Sequence, residues 1–156
     1  MSDIGEAVLA RESPYLPEVA ELLRGSDDYS RTLYPPESSY LIDPDQLARP
    51  DVRFFVARIE GVAVGCGAVV IRPGGFAELK RIFVADAARG RGVGQRLIDA
   101  LEAVAQAEGA HTIQLETGPL SHPALALYRR NGYRERGPFA DYPDDPLSVF
   151  MEKPVG

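Results

Sequence analysis

The sequence predicts an α/β domain built on a mixed sheet, and three observations carry that prediction. Apolar residues run or alternate over positions 52–84, interrupted by turn residues at Glu60-Gly61 and Pro73-Gly74-Gly75, as successive antiparallel strands require. Helical spacing then takes over in "GQRLIDALEAVAQAEG", where Leu97, Ile98, Leu101, Val104 and Ala105 form one stripe and Gly109 supplies a stop. Beyond it, strand-like and helix-like stretches alternate to the end of the chain. With 156 residues, 45% hydrophobic and no repeat or low-complexity tract, the chain reads as one domain over 1–156.

The elements follow in order. Ala7 to Ala10 read as a short first strand, and "SPYLPEVAELL" as a helix with Leu16, Val19, Ala20 and Leu23 on one face. The stretch from Arg24 to Asp51 has scattered prolines and tyrosines and little periodicity, so it reads as helical fragments in a long loop, a common source of binding-site walls. Three strands come next in "VRFFVARIEGVAVGCGAVVIRPGGFAELKRIFV". The amphipathic helix after Gly94 leads to a fifth strand, "HTIQLETG", and then to a shorter helix, "HPALALYRRNGY", opened by Pro123 and ended near Gly132. "YRERGPF" and "LSVFMEK" complete the sheet.

Composition removes several classes of function. A formal net charge of −6 excludes a broad basic footprint for nucleic acid and suits a cationic or amine substrate. Cys66 is the only cysteine, so no internal disulfide forms, and its setting in "VAVGCGAVVI" reads as a small buried hydrophobe rather than a reactive thiol. His111 and His122 lack cysteine partners at ligand spacing, which argues against a metal site. "MSDIGEAVLARES" has no basic region followed by an apolar stretch, and no run approaches the roughly 18–20 apolar residues that span a bilayer. A cytoplasmic protein without a membrane partner is the expectation.

"VADAARGRGVG" holds the strongest local signal. Gly90, Gly92 and Gly94 alternate between the end of an apolar strand and the start of a long helix, with Arg89 and Arg91 between them. A helix N-terminus leaves backbone N–H groups unpaired, its dipole adds positive potential, and glycines let an anion approach the main chain. A phosphate or pyrophosphate cradle follows. The dinucleotide fingerprint fails because Gln95 stands where its third glycine belongs, and a P-loop fails for want of Lys-Ser/Thr after Gly94.

What remains, Arg89-x-x-Gly92-x-Gly94, closely resembles the Gln/Arg-x-x-Gly-x-Gly/Ala signature of the GNAT superfamily of acyl-CoA-dependent N-acetyltransferases. "FAELKRIFV", "RGRGVGQRLIDALEAVAQAEG", "IQLETG" and "ALALYRRNGY" also fall in that superfamily's order over roughly residues 76 to 133. The resemblance implies a mixed, mostly antiparallel sheet of six to seven strands flanked by helices, with a splayed strand pair forming a cleft for acetyl-CoA. The pantetheine arm would run along Ile82, Phe83 and Val84, with the pyrophosphate on Arg89, Gly90, Arg91, Gly92, Val93 and Gly94. The run Ile82-Phe83-Val84 breaks strand alternation, as either the β-bulge common in the family or a strand buried on both faces would.

The same resemblance nominates the chemistry. An alkylamine with pKa near ~10.4 must lose a proton before it attacks a thioester, the carbonyl oxygen needs a donor, and the leaving sulfur needs a proton. Glu78 lies fourteen positions before Gly92, the spacing of the catalytic glutamate in the histone-modifying branch, with apolar Phe76 and Ala77 beside it. It is the first candidate base, and Glu116 in "QLETG" is a second, acting through water. Tyr128 occupies the place of the tyrosine that protonates the departing sulfur, and the N–H of Ile82 would serve the oxygen. Ser121 stands where the family usually has an asparagine bonding the pantetheine arm, and it could bond the arm or cap the helix instead. His122 reads as a helix-start residue. Candidates for the acceptor side are Tyr29, Tyr34, Tyr40, Tyr142 and Ser148, while Lys80 and Arg81 could hold an acceptor carboxylate or pair with acids of the fold. The leading expectation is acetyl transfer to a small-molecule amine by direct attack. A protein lysine or N-terminus as acceptor, and a non-catalytic acyl-CoA sensor, stay open, as does a homodimer through the sheet edges or C-terminal hairpin.

Overall fold

The computed structural model describes residues 6–156, so the leader reading falls in part outside the described residues. Strand β1 (Val8–Arg11) precedes helix α1 (Pro17–Leu33) and, after a 3-10 turn at Pro36–Ser38, helix α2 (Pro44–Leu47). Strands β2 (Val52–Ile59), β3 (Val62–Arg72) and β4 (Phe76–Val84) follow, and a 3-10 turn at Asp86–Ala88 leads into helix α3 (Val93–Ala107). Strand β5 (Thr112–Thr117), helix α4 (His122–Arg130) and strands β6 (Arg134–Arg136) and β7 (Val149–Pro154) complete the chain. Among the described residues no helix is long and apolar enough to cross a membrane.

The seven strands form one sheet in the order β1-β2-β3-β4-β5-β7-β6. Every neighbouring pair is antiparallel except β4 and β5, which are joined through α3 and run parallel. A parallel neighbour needs a crossover, and the amphipathic α3 supplies it. Successive β3 residues face opposite ways. Val69 packs with Ile98, Leu101 and Ala105 of α3, whereas Cys66 and Ala68 pack with Val19, Leu22 and Leu23 of α1. Helices thus cover both faces. Leu97, Ile98 and Leu101 are fully buried, each worth about 1.5–3 kcal/mol of apolar burial.

Two features of β4 position the site. Its ladder with β5 runs only from Phe76 opposite Thr112 to Leu79 opposite Leu115, although both strands continue further. Beyond that point the two strands part. On its other edge, β3 pairs Cys66 with Phe83 but Ala68 with Lys80, so Gly67 faces two residues, Arg81 and Ile82. The break in alternation is therefore a β-bulge. Arg81 takes the left-handed conformation at φ 61°, uncommon for a residue bearing a side chain.

The expected end of the first helix near Leu23 needs correction. α1 runs on through Gly25-Ser26-Asp27, residues of low helix propensity, to Leu33. Tertiary contacts override the local preference: Arg81 Nη1 donates to Ser26 Oγ at 3.2 Å and to Asp27 Oδ1 at 2.7 Å.

Candidate active site

The parting of β4 and β5 opens a cleft of about 440 Å³, walled by the free end of β4, the start of α3, α4 and the segment from Ser26 to Leu41. Its floor includes Ile82, Phe83 and Val84, whose backbone has lost its strand partner on the β5 side.

At one end stands the start of α3. Gly92 is its N-cap at φ 77°, and no side chain caps the helix. The first N–H that reaches back into the helix is that of Arg96, to Gly92 O at 3.1 Å, while the N–H groups of residues 90–95 find no acceptor among the described residues. A Cβ on Gly90 or Gly92 would meet nothing within 4 Å, so the space above these amides is open. Arg89 lines this end, its guanidinium 5.3 Å from the Tyr29 ring. Six unpaired amides, a helix dipole and a cation fit a diphosphate group. Val93 and Gly94 line the cleft with them, but the Arg91 side chain does not, so Arg91 contributes at most its amide.

Farther in, Tyr128 and Glu116 line the same cleft. Tyr128 is held by α4 against the apolar core and edge-on to Tyr133, ring centroids 6.0 Å apart. Its hydroxyl makes no hydrogen bond, yet no sealed side-chain polar atom lacks a partner among the described residues, so the hydroxyl opens on the cleft. Burial, and then the nearby Glu116 charge, push this phenol well above its usual pKa, which keeps it protonated. Burial likewise raises the Glu116 carboxyl, while the Ser148 hydroxyl, donating to Oε2 at 2.7 Å, and the Lys80 ammonium pull it back. A raised carboxylate is a better base.

Glu78 does not line the cleft, contrary to its expected role as base. It sits before the point where the strands part, opposite Gln114, with none of its side chain exposed. Arg72 donates to Oε1 through Nε at 3.1 Å and also through Nη2, Tyr142 donates to Oε2 at 2.6 Å, and Lys80 Nζ lies 3.6 Å away. No lone pair is left facing a substrate. Tyr142 is likewise not an acceptor-side wall: it roofs Glu78, accepts from Lys80, and packs edge-on to Tyr40, Phe139 and Phe150. Ser148 serves Glu116 rather than lining the cleft. Arg81 borders the cleft, but its guanidinium is engaged by Ser26, Asp27 and, at 2.9 Å, Ile42 O, with only 3% of its side chain exposed, so it pairs with an acid of the fold rather than standing free for an acceptor carboxylate.

Lys80 does line the cleft, donating to Tyr40 O at 2.8 Å and to Tyr142 Oη. Burial lowers its pKa, against the opposing charges of Glu78 and Glu116. Tyr40 lines it too, its hydroxyl on Asp145 Oδ2 at 2.8 Å. Tyr29 stands at the α3 end rather than the acceptor side. Tyr34 reaches the turn before α4, where its hydroxyl lies 2.8 Å from Ser121 Oγ. Ser121 is the N-cap of α4 by position, but its side chain makes no capping bond. Cys66 is buried, its thiol pushed up to about 12 by desolvation, in keeping with an inert thiol. Sequence reading missed Arg72, the bond from Tyr40 to Asp145, and the Gln95–Asn131 pair that ties α3 to α4 at 2.7 and 2.9 Å. Their partners lie 6 to 105 positions away, and no local pattern marks them.

Three comparisons bear on this geometry. The model of the acetyltransferase (GNAT) family matches residues 16–133. A protein of Azospirillum brasilense named IAA acetyltransferase is 49% identical over 148 residues, 94% of this chain and 97% of its own length. Among solved structures, a Klebsiella pneumoniae protein described as an acyl-CoA N-acyltransferase superposes with a TM-score of 0.82 at 42% identity, covering 96% of this chain and 98% of that one. The PaiA N-acetyltransferase of Thermoplasma acidophilum, crystallised in complex with coenzyme A, shares the fold at a TM-score of 0.76 and 17% identity over 97% of this chain and all of that one.

Proposed function

Since this chain belongs to the GNAT family of acetyltransferases, enzymes that use acetyl-CoA, we propose that it transfers the acetyl group to a primary amine of a small molecule. The observation that carries this reading is the convergence on one cleft of an open row of amides at the α3 start, a cleft-facing Tyr128 hydroxyl and a Glu116 carboxylate of raised pKa. The name of the Azospirillum relative supports a small molecule as acceptor, and the tyrosines that narrow the cleft from the Ser26–Leu41 side favour one too.

Acetyl-CoA supplies an activated thioester. The residues 90–95 amides and Arg89 hold its diphosphate, and the unpaired edge of β4 beyond Leu79 orients the arm. The Glu116 carboxylate, acting through water, accepts the proton that the ammonium form of the acceptor must lose, and the nearby Lys80 ammonium offsets its charge. As the new C–N bond forms and the C–S bond breaks, the Tyr128 hydroxyl donates its proton to the leaving sulfur, and the amine's second proton re-protonates the phenolate. Amide and free thiol are the products. No cysteine nucleophile takes part, consistent with the sealed Cys66.

The test is thiol release from acetyl-CoA across a panel of amines, with peptides as a separate arm. Tyr128→Phe should release thiol roughly 10²-fold more slowly or worse while acetyl-CoA binding is unchanged. Binding without release for every acceptor, or preference for peptides over free amines, overturns the reading.

A further inference from the structure

Tyr34 belongs to two walls of the cleft at once. As the C-cap residue of α1 it is fixed to the β4 side, because Arg81 on the bulge holds Ser26 and Asp27 of the same helix and Val19, Leu22 and Leu23 pack with the sheet. Its side chain nevertheless ends on the β5 side. The hydroxyl accepts the Leu120 N–H at 2.9 Å and lies 2.8 Å from Ser121 Oγ, in the turn that joins β5 to α4. The ring lies so close over Gly118 that a Cβ there would stand 2.0 Å from it. Tyr34, Gly118 and Ser121 all line the cleft. The side chain therefore spans the gap that the missing β4–β5 ladder leaves open.

We infer that Tyr34 is a positioning residue for the acyl carrier, a clasp across the parted strands that works with Ser121 and sets how fast the carrier leaves. The inference rests on the acetyl-CoA reading of this cleft. The clasp assigns the phenolic proton to Ser121 Oγ, either hydroxyl being able to donate across their 2.8 Å contact, and so leaves the serine's own proton to donate into the cleft. A lone serine is a short, rotating hydroxyl; one fixed by a tyrosine is an oriented donor. Gly118 is required because any side chain would displace the ring.

The test uses the full chain and acetyl-CoA alone, with no acceptor. Association and dissociation are measured by surface plasmon resonance, and exchange of the Leu120 amide by hydrogen–deuterium exchange in the free protein. Tyr34→Phe keeps the ring and loses both hydroxyl contacts. It should dissociate acetyl-CoA roughly five- to tenfold faster, the size expected for one lost hydrogen bond, and should expose the Leu120 amide. Ser121→Ala, a change that leaves the apolar core untouched, should speed dissociation to a similar degree and keeps the test sound if the first variant folds poorly. Gly118→Ala should combine faster dissociation with faster exchange. Unchanged dissociation in Tyr34→Phe and Ser121→Ala, with the wild-type chain binding normally, overturns the clasp. A wild-type chain that binds no acetyl-CoA overturns the cleft reading itself, a separate result.

Discussion

Replacing Glu78 by glutamine should make the protein melt earlier while leaving its chemistry largely intact. The carboxylate receives two N–H groups from Arg72 and one O–H from Tyr142, with Lys80 3.6 Å away, and none of its side chain is exposed. Glutamine keeps the oxygen that Arg72 meets but turns its NH₂ toward Tyr142, whose hydroxyl already accepts from Lys80, so the phenolic proton loses its acceptor and Arg72 and Lys80 lose the countercharge. Charge-assisted bonds of this kind contribute about 1.5–3 kcal/mol each, and breaking a buried ion pair costs about 3–5 kcal/mol. Arg72 keeps 36% of its side chain exposed and can rehydrate, which places the loss near the lower end, about 3 kcal/mol. For a chain of this length that corresponds to a fall in Tm of roughly 6–12 °C. Circular-dichroism melting measures the fall, and thiol release well below the new Tm measures the chemistry. A catalytic base would behave oppositely, with unchanged melting and a rate lowered by about 10²–10⁴. A Glu78→Gln chain of wild-type Tm and hundredfold slower turnover refutes the placement of Glu78 outside the reaction.

Further outcomes follow from the same geometry. Burial raises the Glu116 carboxyl, so its proton-accepting form appears at higher pH than it would for an exposed glutamate, and activity should rise with pH through that raised value; Ser148→Ala removes a donor that lowers it and should move the acid limb of the rate profile to higher pH. In stability terms the raised carboxyl favours the folded state below its unfolded pKa, and that contribution fades as pH climbs through the folded value. Gly92→Ala puts a side chain at φ 77° with open space around it, so it should cost about 1–2 kcal/mol of stability and lower acetyl-CoA affinity further, measurable by melting and by calorimetry. Cys66 should resist iodoacetamide in the native protein at pH 8 and react on unfolding, as mass spectrometry would report.

The parts of this molecule legible in its sequence are those that local rules govern. Alternating glycines before an amphipathic helix announced the amides of residues 90–95, and Leu97, Ile98 and Leu101 announced the buried stripe of α3. The choice between Glu78 and Glu116 was not legible, because it depends on where one ladder stops. Glu78 precedes the last β4–β5 pair, at Leu79 and Leu115, and is enclosed; Glu116 follows it and faces the cleft. No spacing within a strand states where its neighbour departs. The second half of α1 was hidden for a related reason: Gly25-Ser26-Asp27 favours termination, and the guanidinium that overrides it belongs to a residue more than fifty positions away.

Arg81 bears on any attempt to change what this enzyme accepts. Its main chain shapes the strand along which the thioester arm would run, while its side chain fixes the helix and segment that wall the other compartment. If the cleft holds donor and acceptor as proposed, one amino acid would yoke the preferences for both. On that proposal, a redesign of the acceptor side would be better directed at Ser38, Ser39 or Leu41, which border the cavity without bonding to Arg81, than at position 81, where either trait would shift only by dragging the other with it.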